Sequence, residues 1–374
     1  MAKAVYVGVD SKARKMKKAY IGIGGKARKV KKMYIGVGGK ARLCYSAELE
    51  RYGMAAALST TRYDMRAATV GKYALFAGGL ARKSSFGYSV SSSVDAYNTS
   101  LTKSTPTELS CKRCGHAAAS VGGYALFAGG ASSYNLLGIY ENLVSAVDAY
   151  DASLTRSAAH IIGATVAIGG AAVGNYALFA GGTVYSQINK DNVTSDVLAY
   201  DPSLTFTTAP LLSVARANVK GASAGNYALF AGGRAGSFCT TVDAYNASLT
   251  RTTATALSST KNNSAAATVG NHAIFVGNTA SADIYDASLT KTSAAILSTA
   301  RMGLAATTVG DYAIFSGGGV ADFCDASLTR SSIGTSMTGY YMGAATIGDY
   351  ALFAGGQSGE NSGTAYDSVE VYTA

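Results

Sequence analysis

Hydrophobic and polar positions alternate along most of this chain in short runs, and one run returns again and again. It reads Tyr-Ala-Leu-Phe-Ala-Gly-Gly with small changes, and its seven copies begin at Tyr73, Tyr124, Tyr176, Tyr227, His272, Tyr312 and Tyr350. Alternation with a period of two predicts β-strands, and the Gly-led pair of residues before each copy predicts a two-residue hairpin turn. Copies spaced 38 to 52 residues apart are typical of stacked units that cannot bury an apolar face alone.

Residues 66–107 show what one unit contains. Arg66–Val70 predicts a first strand, Tyr73–Ala77 a second, Val94–Tyr97 a third, and a fourth begins at Leu101. The turn before that fourth strand starts with an Asn, whose side chain can bond its own backbone. Seven units of four antiparallel strands predict an all-β fold, a seven-bladed β-propeller.

The last unit lacks a fourth strand after Val369–Tyr372, because the sequence ends there. Residues 47–59 precede the first unit, at the place where a fourth strand precedes each of the later units. We expect this N-terminal strand to close the last blade, since closure removes sheet edges that would otherwise pair with other chains. The prediction is a propeller over residues 46–374, preceded by a small three-hairpin β module over residues 1–45.

The repeats resemble a known family. Gly78-Gly79 after the second strand and Tyr97 at the end of the third strand are similar to the corresponding positions of the kelch repeat. The resemblance covers the whole ring. The chain has no Trp, and Leu101 and its counterparts stand near the place where kelch repeats usually carry one.

Residues 1–45 contain three copies of a 14-residue unit, with Val5–Val9, Tyr20–Ile23 and Tyr34–Val37 as their apolar parts. Ten Lys and three Arg stand there against a single Asp, a net charge of +12, so the rest of the chain carries −2 of the total +10. Small hairpins are not stable alone, so we expect this module to dock or to trimerise. The candidate residues for attachment or polyanion binding are Lys12, Arg14, Lys26, Arg28, Lys40 and Arg42.

Basic Tyr-Ile-Gly-Val-Gly-Gly-Lys-Ala-Arg hairpins ahead of a kelch-like ring resemble the tail and fibre proteins of phages and prophages of Gram-positive bacteria. That resemblance implies a virion protein, synthesised in the host cytoplasm, whose N-terminal module binds other tail or baseplate proteins. It implies that the propeller binds a glycan or protein of the host cell surface, in a homo-oligomer for which a trimer is favoured. Two alternatives stay open: a cytoplasmic kelch-type interaction scaffold, and a protein that binds nucleic acid through the basic module.

The two faces of the expected propeller differ in sequence. The turns of one face are uniform, whereas the loops between second and third strands and the links between blades vary in length or content. Variable loops on a rigid frame are typical of recognition surfaces, and Tyr and Asn suit binding. The candidate ligand-binding residues on this variable face are Tyr63, Asp64, Tyr88, Tyr134, Tyr140, Asn142, Tyr185, Asn189, Asn218, Arg234, Asn262, Tyr340 and Tyr341.

Little in the sequence favours catalysis, a metal or a cofactor. Cys111 and Cys114 form a lone Cys-x-x-Cys without the second pair that a zinc site needs, and the five cysteines are odd in number and scattered. Asp64 and Glu141 are conceivable as a glycosidase pair, but only their location suggests it. We therefore expect a non-enzyme with no metal and no cofactor, and no membrane partner, because no run approaches the roughly 20 apolar residues of a bilayer span.

A basic residue recurs ahead of most units, at Arg62, Arg113, Arg216, Lys261 and Arg301, with Thr165 and Gly339 in the two remaining positions. Two interpretations compete. The residue either faces a ligand on the variable face or bonds carbonyl groups at the ends of the blades.

Overall fold

The structure is a computed structural model that describes residues 6–9, 12–15, 19–23, 26–30, 32–37, 40–46, 48–84, 87–184, 192–261, 265–359 and 363–374. The regular secondary structure of these residues consists of β-strands, with no helix among them. Seven four-stranded antiparallel sheets form the blades of a propeller. The predicted fold class is therefore confirmed.

Three small hairpins precede the ring. Their strands are β1 (Tyr6–Val9), β2 (Lys12–Lys15), β3 (Tyr20–Ile23), β4 (Lys26–Lys29), β5 (Lys32–Val37) and β6 (Lys40–Ser46). The three share one register: Lys12 pairs with Val9, Lys26 with Ile23 and Lys40 with Val37. Arg14, Arg28 and Arg42 likewise pair with Val7, Ile21 and Ile35. The 14-residue repeat of the sequence is thus a repeat of backbone pairing, while the domain boundary at residue 45 stays a prediction.

The strands of the ring follow in chain order. The closing strand is β7 (Glu50–Ala55). Blade 1 contains β8 (Arg66–Val70), β9 (Tyr73–Ala77), β12 (Val94–Asn98) and β13 (Lys103–Ser104), with an inserted hairpin of β10 (Leu80–Ser84) and β11 (Gly87–Val90). Blade 2 contains β14 (Ala117–Val121), β15 (Tyr124–Ala128), β18 (Val147–Asp151) and β19 (Arg156–Ala158), with an inserted hairpin of β16 (Ala131–Tyr134) and β17 (Tyr140–Leu143). Blade 3 contains β20 (Gly169–Val173), β21 (Tyr176–Ala180), β22 (Val197–Tyr200) and β23 (Phe206–Ala209).

The second half of the ring repeats this plan. Blade 4 contains β24 (Lys220–Ala224), β25 (Tyr227–Ala231), β28 (Val242–Asn246) and β29 (Arg251–Ala254), with a short hairpin of β26 (Arg234–Ala235) and β27 (Ser237–Phe238). Blade 5 contains β30 (Ala265–Val269), β31 (His272–Val276), β32 (Ser281–Tyr285) and β33 (Lys291–Ala295). Blade 6 contains β34 (Ala305–Val309), β35 (Tyr312–Gly317), β36 (Val320–Asp325) and β37 (Arg330–Gly334). Blade 7 contains β38 (Gly343–Ile347), β39 (Tyr350–Ala354) and β40 (Val369–Thr373), and β7 is its fourth strand.

The ring is closed by the N-terminal strand, as the sequence predicts. β7 pairs antiparallel with β40 from Val369 opposite Ala55 to Thr373 opposite Glu50. Arg51 of β7 forms an ion pair with the buried Glu370 of β40. The sheet of blade 7 thus combines three strands from the C-terminal part of the chain with one strand that precedes blade 1, and this pairing covers the edge of β40.

Aromatic pairs on the second and third strands of a blade pack against the preceding blade. The ring of Phe76 meets the ring of Tyr97 edge to face, with centroids 5.8 Å apart, and the same pair recurs in blades 2, 3, 4, 5 and 7. The Tyr97 hydroxyl donates a 2.7 Å hydrogen bond to the carbonyl of Ala56. Burying a side chain of this size contributes about 1.5–3 kcal/mol, and the hydroxyl bond avoids an unsatisfied polar group.

The recurrent basic residues are buried and structural. Arg62, Arg113 and Arg216 are wholly buried, and Arg216 contacts Asp243 of the third strand at 2.9 Å. Corresponding pairs are Arg62 with Asp95, Arg113 with Asp148, Lys261 with Asp283, and Arg301 with Asp322. Several of these side chains also donate to carbonyl groups at the blade ends, as Arg62 does to Phe76. Of the two interpretations, the structure supports the one in which this residue holds the blade together.

The innermost strands line a central channel with small residues. Between neighbouring inner strands the contacts include hydroxyl bonds, such as Thr69 Oγ1 to the carbonyl of Thr346 at 2.7 Å and Ser223 Oγ to that of Ala172 at 2.7 Å. Ala and Gly occupy most of the other channel positions. Small side chains leave the axis open, and a cavity of about 400 Å³ lies among these strands.

Candidate functional site

The links between blades form a hydrogen-bonded rim around one end of the channel. The residue two positions after each recurrent basic position has a left-handed backbone in every link that the structure describes there, with φ between 52° and 63°: Asp64, Gly115, Ala167, Asn218, Gly303 and Tyr341. Neighbouring links bond to each other, for example the Asn218 N–H to the Ala167 carbonyl at 2.7 Å. Left-handed backbone favours Gly, Asn and Asp, so this conformation accounts for part of the variation seen in the sequence.

Inside the rim lies a cavity of about 350 Å³. Seven residues of the variable face that the sequence singled out line it: Tyr63, Asp64, Tyr88, Tyr134, Tyr140, Asn218 and Tyr341. They come from blades that are distant in sequence, and the propeller brings them together at its axis. A concave site that combines aromatic side chains with a few polar groups is the usual form of a ligand pocket.

Three tyrosines form an aromatic wall on one side of this cavity. Tyr88 of β11 meets Tyr134 of β16 edge to face, and Tyr134 meets Tyr140 of β17, with centroids 5.0 Å apart in both pairs. The two inserted hairpins of blades 1 and 2 therefore pack against each other through these rings. Burial raises the pKa of Tyr134 to about 12 and raises that of Tyr140 well above its ordinary value, so both present neutral hydroxyl groups.

Asp64 is the acidic group of the cavity. Its Oδ1 accepts a 2.8 Å bond from Arg66 Nη1, and its Oδ2 accepts bonds from the Gly115 N–H at 3.1 Å and from the Tyr140 hydroxyl at 3.3 Å. Burial lowers the pKa of Arg66, but the facing Asp64 carboxylate, together with Tyr140 and Cys114, outweighs burial and the net shift of the pKa is upward. This network fixes the carboxylate, the guanidinium and one tyrosine relative to each other.

Two cations of the cavity, Arg66 and Lys220, were not among the candidates chosen from the sequence. The rest of the lining consists of Leu80, Gly303, Leu304, Met342 and Gln357. Both cations are the first residue of an inner strand, β8 and β24. The same register position holds Ala or Gly in the other five blades: Ala117, Gly169, Ala265, Ala305 and Gly343. An alignment of the seven first strands would have shown two cations among five small residues, and that was the available signal.

The remaining candidates lie outside the cavity lining. Asn142 is exposed on the hairpin of blade 2, where its Nδ2 donates to Ser133 Oγ at 3.2 Å. The Arg234 guanidinium lies 5.9 Å from the Phe238 ring centroid and donates to the Gly236 carbonyl. Tyr340 pairs with Gln357 through its backbone. Tyr185, Asn189 and Asn262 lie outside the described residues.

The candidates for other chemistry are not assembled into a site. Glu141 bonds Asn135 and Ser133 on its own hairpin and does not line the cavity with Asp64. Cys114 is buried and Cys111 is partly exposed, both with free thiols. In the described part of the chain, no three His, Cys, Asp or Glu side chains come together as metal ligands. None of the described segments forms a helix of the length and apolarity that a bilayer crossing requires.

Comparison with known proteins supports the fold. Among solved structures the chain is similar to YjhT, with a TM-score of 0.53 and 14% sequence identity, over 86% of this chain and 99% of that one. At this identity the likeness shows a shared propeller fold, which by itself is compatible with either binding or catalysis. No protein-family model matches the chain, and no curated protein matches it in sequence.

Proposed function

We propose that this protein is a non-enzymatic receptor-binding component of a phage tail or fibre, and that the axial cavity of its propeller binds a host cell-surface glycan. The observation that carries the proposal is the tyrosine wall of Tyr88, Tyr134 and Tyr140 beside the fixed carboxylate of Asp64. Tyrosine rings offer contact area at a low cost in conformational entropy, and rigid hydroxyl and carboxylate groups can orient sugar hydroxyls. Blade-to-blade bonds of the rim hold these groups in place before a ligand arrives.

The tail assignment rests on the resemblance of the N-terminal repeats to tail proteins and on their regular pairing. Three hairpins carry Lys and Arg at the same backbone register positions, and we expect these repeated positions to attach the protein to other tail or baseplate proteins. A kelch-like ring carried by such a module has its recognition loops on a separate part of the chain. Tail tube, baseplate or lysis genes beside the gene would support this assignment, and a neighbourhood without them would count against it.

The test compares the two faces of the propeller. The double variant Tyr88→Ala/Tyr134→Ala removes the aromatic wall, and we expect binding to isolated Gram-positive cell walls in a pull-down assay to fall by about tenfold or more, because aromatic anchors dominate such contacts. Thermal unfolding should change little, since both rings are only partly buried.

The matched control is Asn226→Ala/Ser248→Ala on the opposite face. We expect it to bind as the unchanged protein does. If both double variants bind equally well, or if only the control loses binding, the cavity is not the recognition site.

A further inference from the structure

The cavity has a charge asymmetry that the ring geometry alone would not produce. One register position, repeated seven times around the axis, carries a cation only in blades 1 and 4, as Arg66 and Lys220. The five small residues at the other blades leave the space in front of these two cations open. Both side chains line the mouth cavity and also the cavity of about 250 Å³ below it, so they lie where the mouth narrows into the channel.

The two cations are not neutralised by the protein around them. Asp64 is the single acidic residue among the described residues that line the mouth cavity, and it pairs with Arg66. Across the described part of the chain the Lys220 ammonium makes no hydrogen bond or ion pair, although it interacts electrostatically with Arg66 and Asp64. The mouth therefore holds two positive charges against one negative charge.

Arg66 also keeps unused donors. Its bonds to the Asp64 carboxylate, the Asp64 carbonyl and the Met65 carbonyl all come from Nη1. Nε and Nη2 make no hydrogen bond to any residue that the structure describes. A guanidinium with free donors and an ammonium without a bonded partner line the same cavity, and proteins use such groups to bind carboxylates and phosphates.

We propose that Arg66 and Lys220 bind an oxyanion, a carboxylate or a phosphate, carried by the saccharide that enters the cavity. The saccharide part of this inference rests on the proposed function; the oxyanion part rests on the two cations alone. In this arrangement Asp64 orients Arg66 and leaves one net positive charge for the ligand. The tyrosine wall contacts the neutral part of the sugar, and the cations below it select sugars that are acidic.

Lys220 gives this proposal a pH signature. Burial, and then repulsion by Arg66, lower the pKa of the Lys220 ammonium to about 8, with Asp64 opposing part of the shift. The other titratable groups facing the cavity are Tyr63, Tyr88, Tyr134, Tyr140 and Tyr341. An anion binds the protonated amine, so affinity should fall as pH rises from about 7 to about 9 and the free protein loses that proton.

The experiment measures binding of four small probes to the full chain by calorimetry. Two are acidic, D-glucuronate and glycerol 1-phosphate, and two are their neutral counterparts, methyl glucoside and glycerol. We expect at least one acidic probe to bind about tenfold or more tightly than its counterpart, as a charge-assisted hydrogen bond would give. Whether glucuronate or glycerol phosphate binds distinguishes a carboxylated sugar from a phosphate-containing one.

Two variants complete the test. Lys220→Gln should weaken the acidic probe by about tenfold, while Lys220→Arg should retain binding and abolish its dependence on pH between about 7 and about 9. Equal binding of acidic and neutral probes, no binding of either acidic probe, or unchanged binding by Lys220→Gln would overturn the inference. Cell-wall binding that depends on the tyrosines but not on Lys220 would support the proposed function and contradict the oxyanion inference. Binding of an acidic probe without cell-wall binding would support the oxyanion inference and contradict the proposed function.

Discussion

The two faces of the propeller satisfy their polar groups in opposite ways. On the uniform face, each turn between third and fourth strands bonds to itself: Asp151 Oδ1 accepts from the N–H groups of Ser153 and Thr155 and from the Ser153 hydroxyl. On the variable face, the links that the structure describes bond to neighbouring links, as the Asp64 N–H does to the Tyr341 carbonyl at 2.9 Å. Turns that bond only to themselves can repeat unchanged, whereas the links of the rim contact their neighbours and line a shared cavity, so their side chains are free to differ.

The same contrast appears in the backbone. Leu101 and its five counterparts in the uniform turns have left-handed φ values between 58° and 66°, a conformation that costs a non-Gly residue roughly 1–2 kcal/mol. Leu101, Leu154, Leu204, Leu249, Leu289 and Leu328 each pack against a core cluster, which offsets that cost identically in six blades. On the rim, Tyr341 adopts the same backbone region and lines the cavity. On one face the left-handed residues pack against the core, and on the other one of them places a tyrosine ring at the cavity.

Both faces depend on closure of the ring by β7, and removing this strand should have the largest effect on stability. Deletion of residues 1–60 removes β7, leaves β40 as an edge and exposes the buried Tyr372. We expect cooperative thermal unfolding to be lost, because every blade packs on two neighbours. Deletion of residues 1–44 removes most of the hairpin module and spares β7. It should unfold as the full ring does, and equal melting curves for the two deletions would show that closure by β7 is dispensable.

The ion pairs beneath the rim should rank second. Asp243 contacts Arg216 at 2.9 Å and Arg251 at 3.1 Å, and Asp243→Ala leaves the wholly buried Arg216 charge without its partner. Loss of one member of a buried pair costs about 3–5 kcal/mol, which denaturant unfolding can measure. A loss of this size would show that the ion pairs stabilise the blades beneath both faces, and it would not require them to contact a ligand.

Blade 3 supplies the control for that experiment. Thr165 and Leu198 occupy the positions of the basic residue and the aspartate there, so the fold accepts a blade without this ion pair. The double variant Arg216→Met/Asp243→Leu should therefore lose less free energy of unfolding than Asp243→Ala alone. A larger loss in the double variant would mean that the charges themselves, and not their pairing, stabilise the blade.

The sequence predicted the ring well and its centre incompletely, for a physical reason. Strand alternation, Gly turns and the unpaired last strand are local or periodic signals, and they were enough for the seven blades and for β7. The tyrosines of the cavity were found because variable loops point to one face. Arg66 and Lys220 were missed because their significance depends on a register position shared by seven strands. The aspartate partners of the recurrent basic residues were missed because they lie in the third strand of the blade, 21 to 35 residues further along the chain.

The smallest expected effect is a difference in how the two faces respond to pH. On the uniform face, the hydroxyl of Ser153 and backbone N–H groups lower the pKa of Asp151, and Asp201 and Asp286 are shifted downward in the same way. A depressed carboxyl pKa contributes stability above its unfolded value of about 3.9, and that stability is lost as pH falls through the folded value. On the variable face, the pKa of Lys220 is lowered to about 8 because its charged form is disfavoured in the folded state. Stability therefore also rises with pH there, but in an alkaline window between about pH 8 and about pH 10.

Melting temperatures measured on two variants, from acid pH below about 3.9 up to about pH 10, separate the two faces. Asn98 and Asn246 hold their turns through the same backbone bonds that Asp151 uses. Replacing Asp151, Asp201 and Asp286 by Asn should therefore keep the turns and flatten the acid limb. Lys220→Met should raise the melting temperature at neutral pH and abolish the alkaline gain, because the unpaired charge is gone. An alkaline gain that persists in Lys220→Met would show that another group causes it, and that the fold does not disfavour the charged form of Lys220.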